Sequence, residues 1–114
     1  MDAQAFAVKW KDACNSHDIE RIVALYSEQV IFKSPRVRSL SGEQSGTLHG
    51  KATVRDYWQT LFGKRPDLRF EIGRIFAGID SIASEYRVGD LQGIEFMLLD
   101  SDGLISLAAG NDLA

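Results

Sequence analysis

Glu85, Arg87 and Glu95 are the side chains of this sequence best suited to acid–base chemistry. If the hairpin between them turns around Leu91, Glu95 lies opposite Arg87, with Glu85 next along the same strand. An arginine flanked by two carboxylates could form a catalytic charge cluster. The plainer alternative is a cross-strand ion pair on an exposed or dimer-facing surface, worth well under ~1 kcal/mol. His49 ends a long glycine- and serine-rich segment, from which it could swing over a pocket as an acid or base or simply remain solvated. Cys14 precedes His17 by three residues at a helix end, a spacing that does not align thiolate and imidazole without a third orienting group. The catalytic candidates are therefore Glu95, Arg87 and His49, and Cys14 reads as part of an apolar wall.

A pocket wall is also legible. Trp10, Tyr57, Trp58 and Phe62 fall on helical faces that converge over a sheet, and aromatic walls suit a planar or apolar ligand. With Cys14, Ser34 and Met97 they form the expected ligand-binding set; core packing is the competing role for each aromatic taken singly.

These residues need elements to hold them. Phe6, Ala7, Trp10, Ala13 and Cys14 recur at helical spacing from Ala3 to Cys14. Asp18 then caps a second helix with the face Ile19, Ile22, Val23 and Tyr26. Val30–Phe32 is a short strand ending before Ser34-Pro35. Residues 36–50 read as a long mobile loop, a possible lid. Val54, Tyr57, Trp58, Leu61 and Phe62 predict a third helix, stopped by Gly63 and Pro66-Asp67. Four strand-like runs follow, near 68–77, 81–88, 93–99 and 104–109, separated by hairpin turns that predict an antiparallel meander. Both faces of such a sheet carry apolar residues, and three short helices cover only one. The other face is expected to meet a second copy, giving a homodimer through the sheet, with a solvated face of scattered hydrophobes as the alternative.

Composition narrows the function classes. A chain of 114 residues, 45% hydrophobic, has the size of a single domain spanning 1–114. The net charge of −3, from 13 basic and 16 acidic residues, builds no field that would gather nucleic acid or an anionic membrane. The cluster Lys33, Arg36 and Arg38 reads as loop solvation rather than a nucleic-acid patch. With one cysteine, no internal disulfide forms and no oxidising compartment is called for. No secretory leader pattern and no apolar run near ~20 residues is present, so a cytoplasmic location is expected. His17 and His49 are the only histidines and lack metal-ligand spacing, so neither a metal nor a cofactor is expected.

The segment His17 to Tyr26, followed by Val30-Ile31-Phe32 and Pro35, then Leu48-His49-Gly50-Lys51 and Pro66 to Phe70, resembles the nuclear transport factor 2-like superfamily, in its SnoaL-like and ketosteroid isomerase-like branches. The resemblance covers nearly the whole chain. It implies an α+β fold: a cone-shaped, curved antiparallel sheet wrapped around three helices of the N-terminal half, a cystatin-like roll. The scaffold serves isomerases, cyclases, hydratases, epoxide hydrolases and proteins with no chemistry, so it does not by itself specify an activity. Ketosteroid isomerases imply a tyrosine where Trp10 stands, an aspartate base where Ser34 stands and an acidic donor where Glu95 stands. Trp10 lacks an acidic hydroxyl and Ser34 is no base unaided, whereas a protonated Glu95 could donate to an oxyanion. The Glu95–Arg87–Glu85 set is reminiscent of the epoxide hydrolase branch. Two readings follow: an acid–base enzyme acting on a small apolar substrate, or a non-catalytic ligand-binding or dimerisation domain. Transport-factor-like binding of a protein partner ranks below both.

Overall fold

The structure, a computed structural model, describes all residues from Met1 to Ala114. Helix α1 (Ala3–Ser16) starts where the Asp2 carboxylate accepts from the Ala5 amide, satisfying one of the free N–H groups of the first turn. It buries Ala3, Ala7, Trp10, Ala13 and Cys14, the face expected from the periodicity. His17 ends it in the left-handed region (φ 56°). The short α2 (Ile19–Val23) is capped by Asp18, which accepts from the Arg21 amide. Tyr26, expected on the second helix, instead opens strand β1 (Tyr26–Lys33), where its buried ring meets Phe32 edge-on.

The expected long loop is largely ordered structure. Ser34 accepts from the Arg36 amide and Pro35 stands at the start of α3 (Pro35–Ser41), where its missing N–H costs nothing. Fully buried Val37 pins this helix to the core. Strand β2 (Thr47–His49) follows, so the chain has four helices rather than three. Helix α4 (Lys51–Lys64) buries Val54, Tyr57, Trp58, Leu61 and Phe62, as its spacing predicts.

The last 45 residues form the meander: β3 (Phe70–Ala77), β4 (Ser81–Val88), β5 (Leu91–Leu99) and β6 (Ile105–Asp112). The six strands lie in the order β2-β1-β6-β5-β4-β3; β1 runs parallel to β6 and all other pairs are antiparallel. A register shift between Ile72 and Ile75 interrupts β3 against β4. Irregularities of this kind bend a sheet, and this one curves around α1 and α4. Asn15 ties α1 to the sheet edge: its amide donates to the Phe70 carbonyl (2.9 Å) and its carbonyl accepts from the Phe70 amide (2.6 Å).

The β4–β5 turn decides what faces inward. It is the two-residue Gly89-Asp90, with Val88 opposite Leu91 and Arg87 opposite Gln92. Centring it on Leu91 displaces the register by an odd number of residues, which sends every β5 side chain to the opposite face. Glu95 is therefore opposite Ser84 rather than Arg87. The inward rows are Phe70–Val88–Leu91, Ile72–Tyr86–Gly93–Asp112, Ile75–Ser84–Glu95–Gly110 and Ala77–Ile82–Met97–Ala108–Phe32. Phe76, Phe96, Ile94, Leu98, Leu107 and Ile31 face outward, with Phe76 52% and Ile94 40% exposed.

Candidate functional site

A cavity of about 320 Å³ opens between the concave sheet and helices α1, α3 and α4. Its wall is aromatic: Trp10 from α1, Phe32 from β1, Tyr57 and Trp58 from α4, Phe70 from β3 and Tyr86 from β4. The rings interlock edge to face, with Trp10–Phe70 centroids at 5.6 Å and Tyr57–Trp58 at 5.6 Å, which holds the wall rigid. Leu61, Leu68, Val88, Leu91 and Arg65 continue the lining, and Ser34, Arg36 and Glu95 close it. Arg65, more than half exposed, marks the solvent side, whereas Ser34 and Glu95 are buried.

One end of this apolar chamber is polar. Glu95 is 9% exposed and its carboxyl makes no hydrogen bond within the chain. Burial pushes its pKa up to about 8; Arg36 pulls it down and Asp112 pushes it up, both by less than the desolvation. The carboxyl is thus mostly neutral at pH 7 and able to donate a proton. The first turn of α3 delivers Arg36 to the same end. Its Nη1 donates to both Asp112 carboxylate oxygens (3.0 and 3.2 Å) and its Nη2 to the Tyr86 hydroxyl (3.1 Å). Arg36 stays fully charged, neighbouring hydroxyls and Asp112 outweighing the burial that opposes its charge. Tyr86 is raised to about 12 by burial despite Arg36, and Tyr57 is raised by burial against the pull of Arg36 and Ser34. Both phenols are neutral donors. The Nε1–H groups of Trp10 and Trp58 are buried without an acceptor.

Of the ligand-binding set expected from the sequence, Trp10, Ser34, Tyr57 and Trp58 line the cavity, together with Glu95. Cys14, Phe62 and Met97 lie behind the lining as core: Phe62 stacks on Trp58 and on His17, Met97 is fully buried in its row, and burial with nearby Glu95 raises the Cys14 thiol. Arg87 is exposed on the outer face, so the expected Arg87–Glu95 pair does not exist. Glu85, also outward, is instead gripped by Arg74 (2.8 and 2.9 Å), which lowers its pKa to about 2. His49 sits exposed on β2 away from the cavity, because the segment before it is ordered. Arg36, Tyr86 and Asp112 were not singled out for the site by sequence reasoning. The Ser-Pro helix start at Ser34 was the available sign that Arg36 belongs to a fixed first turn.

No group of three His, Cys, Asp or Glu side chains is placed to hold a metal ion, and no helix is long and apolar enough to cross a membrane.

Comparison with known proteins matches residues 7–106 to the SnoaL-like domain. A SnoaL-like protein of unknown function from Burkholderia thailandensis is 34% identical over 98% of this chain and 94% of its own, with a TM-score of 0.92. An NTF2-like protein of unknown function from Exiguobacterium sp. 255-15 shares the fold at 15% identity (94% and 97% covered, TM-score 0.75). So does SalBIII, an epoxide hydrolase/cyclase-like enzyme of pyran ring formation in the polyether salinomycin, at 16% identity (97% and 90% covered, TM-score 0.76). No curated protein matches the chain.

Proposed function

Given that the chain belongs to the SnoaL-like domain family, a scaffold whose activity must be argued from its site, we propose that it is an acid–base enzyme acting on a small, largely apolar molecule through Glu95. The observation that supports this reading is a nine-tenths-buried carboxyl without a hydrogen-bond partner, facing an aromatic cavity. Such a group is costly to keep and has little structural use. Neutral at pH 7, Glu95 transfers its proton to an oxygen of the bound molecule, the electron pair of its O–H bond remaining on the carboxylate beside Arg36. A later proton transfer back to Glu95 restores the acid. The aromatic rings hold the apolar body, and Arg36, already paired with Asp112, meets growing negative charge without a new desolvation cost.

The test is a tryptophan-fluorescence titration with small cyclic ketones, epoxides and their hydrocarbon analogues, followed by NMR detection of turnover. Saturable binding is expected, with turnover that falls as pH rises through about 8 and is lost in Glu95→Gln. Binding without turnover and indifferent to Glu95→Gln would assign the chain the non-catalytic role instead. Absence of saturable binding would remove the ligand site altogether.

We also propose that the outer sheet face carries a second copy of the chain, because Phe76, Ile94 and Ile31 are exposed on it beside partly covered Phe96, Leu98 and Leu107. Sedimentation equilibrium is expected to give twice the chain mass, and Phe76→Glu to shift it toward one. A wild-type protein at the monomer mass down to micromolar concentration would reject this assembly.

A further inference from the structure

Helix α4 turns Trp58, Leu61 and Arg65 toward the cavity, at the three- and four-residue spacing of one helical face. An apolar residue would continue this stripe; an arginine stands there instead. Pro66 fixes the end of the helix, because proline disfavours helical geometry in the residue before it. Arg65 leaves the helix at φ −132° and ψ 73°, while its amide still donates to the Leu61 carbonyl (2.8 Å) and its carbonyl accepts from the Leu68 amide (3.3 Å). One turn thus sets both Arg65 and Leu68 in the cavity lining.

The lining carries three charged side chains: Arg36 and Glu95 at its polar end, and Arg65 on the solvent side. The Arg65 guanidinium is uncommitted. Arg36, Arg38, Arg55 and Arg74 each donate to an oxygen of the chain. Arg65 has only Asp67 beside it, with Nε 3.6 Å from Oδ1, longer than a hydrogen bond. Both side chains are more than half exposed, so the pair contributes little to stability. The helix end does not need this charge either, because Lys64 already sets a cation in the last turn of α4.

We infer that Arg65 is a specificity-determining residue whose guanidinium binds a carboxylate on the outer end of the ligand. The guanidinium fork offers two parallel N–H groups to the two oxygens of a carboxylate. A single rim cation with one acidic side chain beside it suits a group of one negative charge. From Trp58 to Arg65 the helix advances about 10 Å, the reach of a two-ring body with a short acidic arm. The ligand class is therefore an amphipathic carboxylic acid, with its rings against the aromatic wall and its acidic arm at the solvent side. Held this way, the molecule turns its far end toward Glu95. This inference rests on the reading of the cavity as a ligand site.

The experiment is isothermal titration calorimetry of 2-naphthaleneacetate and of its methyl ester into the wild-type chain and Arg65→Met, at a neutral pH where the acid is ionised. Methionine keeps an apolar stem of similar reach and removes the charge. Arg65→Met is expected to weaken the acid by about three- to tenfold, the effect of a bidentate pair partly screened by water. The ester is expected to bind both proteins alike, which also shows that the variant is folded with its cavity intact. Equal losses for the two probes would make Arg65 a packing residue and overturn the inference. Undiminished binding of the acid to Arg65→Met would overturn it as well. A wild type that binds the ester but not the acid overturns the rim site and leaves the cavity reading standing. A wild type that binds neither probe removes the cavity reading, and the rim site with it.

Discussion

Glu95→Gln is expected to remove most of the dependence of stability on pH between about 4.5 and 8. In the folded chain the Glu95 proton is held until pH about 8, while in the unfolded chain it leaves at the ordinary value of 4.5. Within that interval the folded state binds a proton that the unfolded state does not, so stability falls as pH rises. The contribution is fully present below 4.5 and fully lost above 8, a total on the order of 5 kcal/mol. Glutamine has nearly the same shape and no ionisation. Urea denaturation at pH 5 should find the two proteins similar. At pH 8.5 the variant should be the more stable by several kcal/mol, because the wild type then carries an ionised carboxyl nine-tenths buried. Parallel stability curves would mean that Glu95 is solvated in the folded protein, and the proton-donor role would lose its basis. A substitution that stabilises by removing an ionisable group is also the expected mark of a functional site, where stability has been given up for chemistry.

What the sequence made legible was governed by local periodicity. The buried faces of α1 and α4 follow from residue spacing alone, as does β4 at Ser81–Val88, bounded by turn residues on both sides. Glu95 was singled out from its carboxylate chemistry and its place in the fold, but its partner was misplaced. That partner depends on the parity of a turn, and Gly89-Asp90 and a turn centred on Leu91 are both acceptable chemically. A hydrophobic pattern would normally choose between them. Here it could not, since β5 carries Ile94, Phe96 and Leu98 on one face and Met97 and Leu99 on the other, so both registers bury apolar side chains. Arg36 was hidden for a different reason. The polar composition of residues 36–50 dominates any reading of that stretch, and the single buried Val37 that fixes α3 is too little to show as a period.

Arg36 and Asp112 should move the Glu95 ionisation in opposite directions. Among the charges acting on Glu95, Arg36 favours the carboxylate and Asp112 opposes it. Replacing Arg36 with methionine keeps the bulk of the stem, removes the favourable charge and leaves the unfavourable one, so Glu95 should hold its proton to a pH above 8. Replacing Asp112 with asparagine removes the opposing charge while Arg36 remains, so the Glu95 pKa should fall. Carboxyl carbon shifts of labelled glutamate, followed by NMR from pH 5 to 10, read both displacements directly. Stability responds less, because Arg36 and Asp112 are each about a quarter exposed and water screens the pair; a loss of about 1–2 kcal/mol is expected for either variant. Ligand affinity should separate them. Arg36→Met removes a donor from the polar end and should weaken an oxygen-bearing probe by roughly ten- to a hundredfold, whereas Asp112→Asn keeps the guanidinium and should weaken it far less. A Glu95 titration that shifts the same way in both variants would show that packing, rather than charge, sets it. Arg36 would then be a structural cation whose only task is to anchor α3 on β6, and the polar end of the cavity would hold a single functional group instead of a tuned pair.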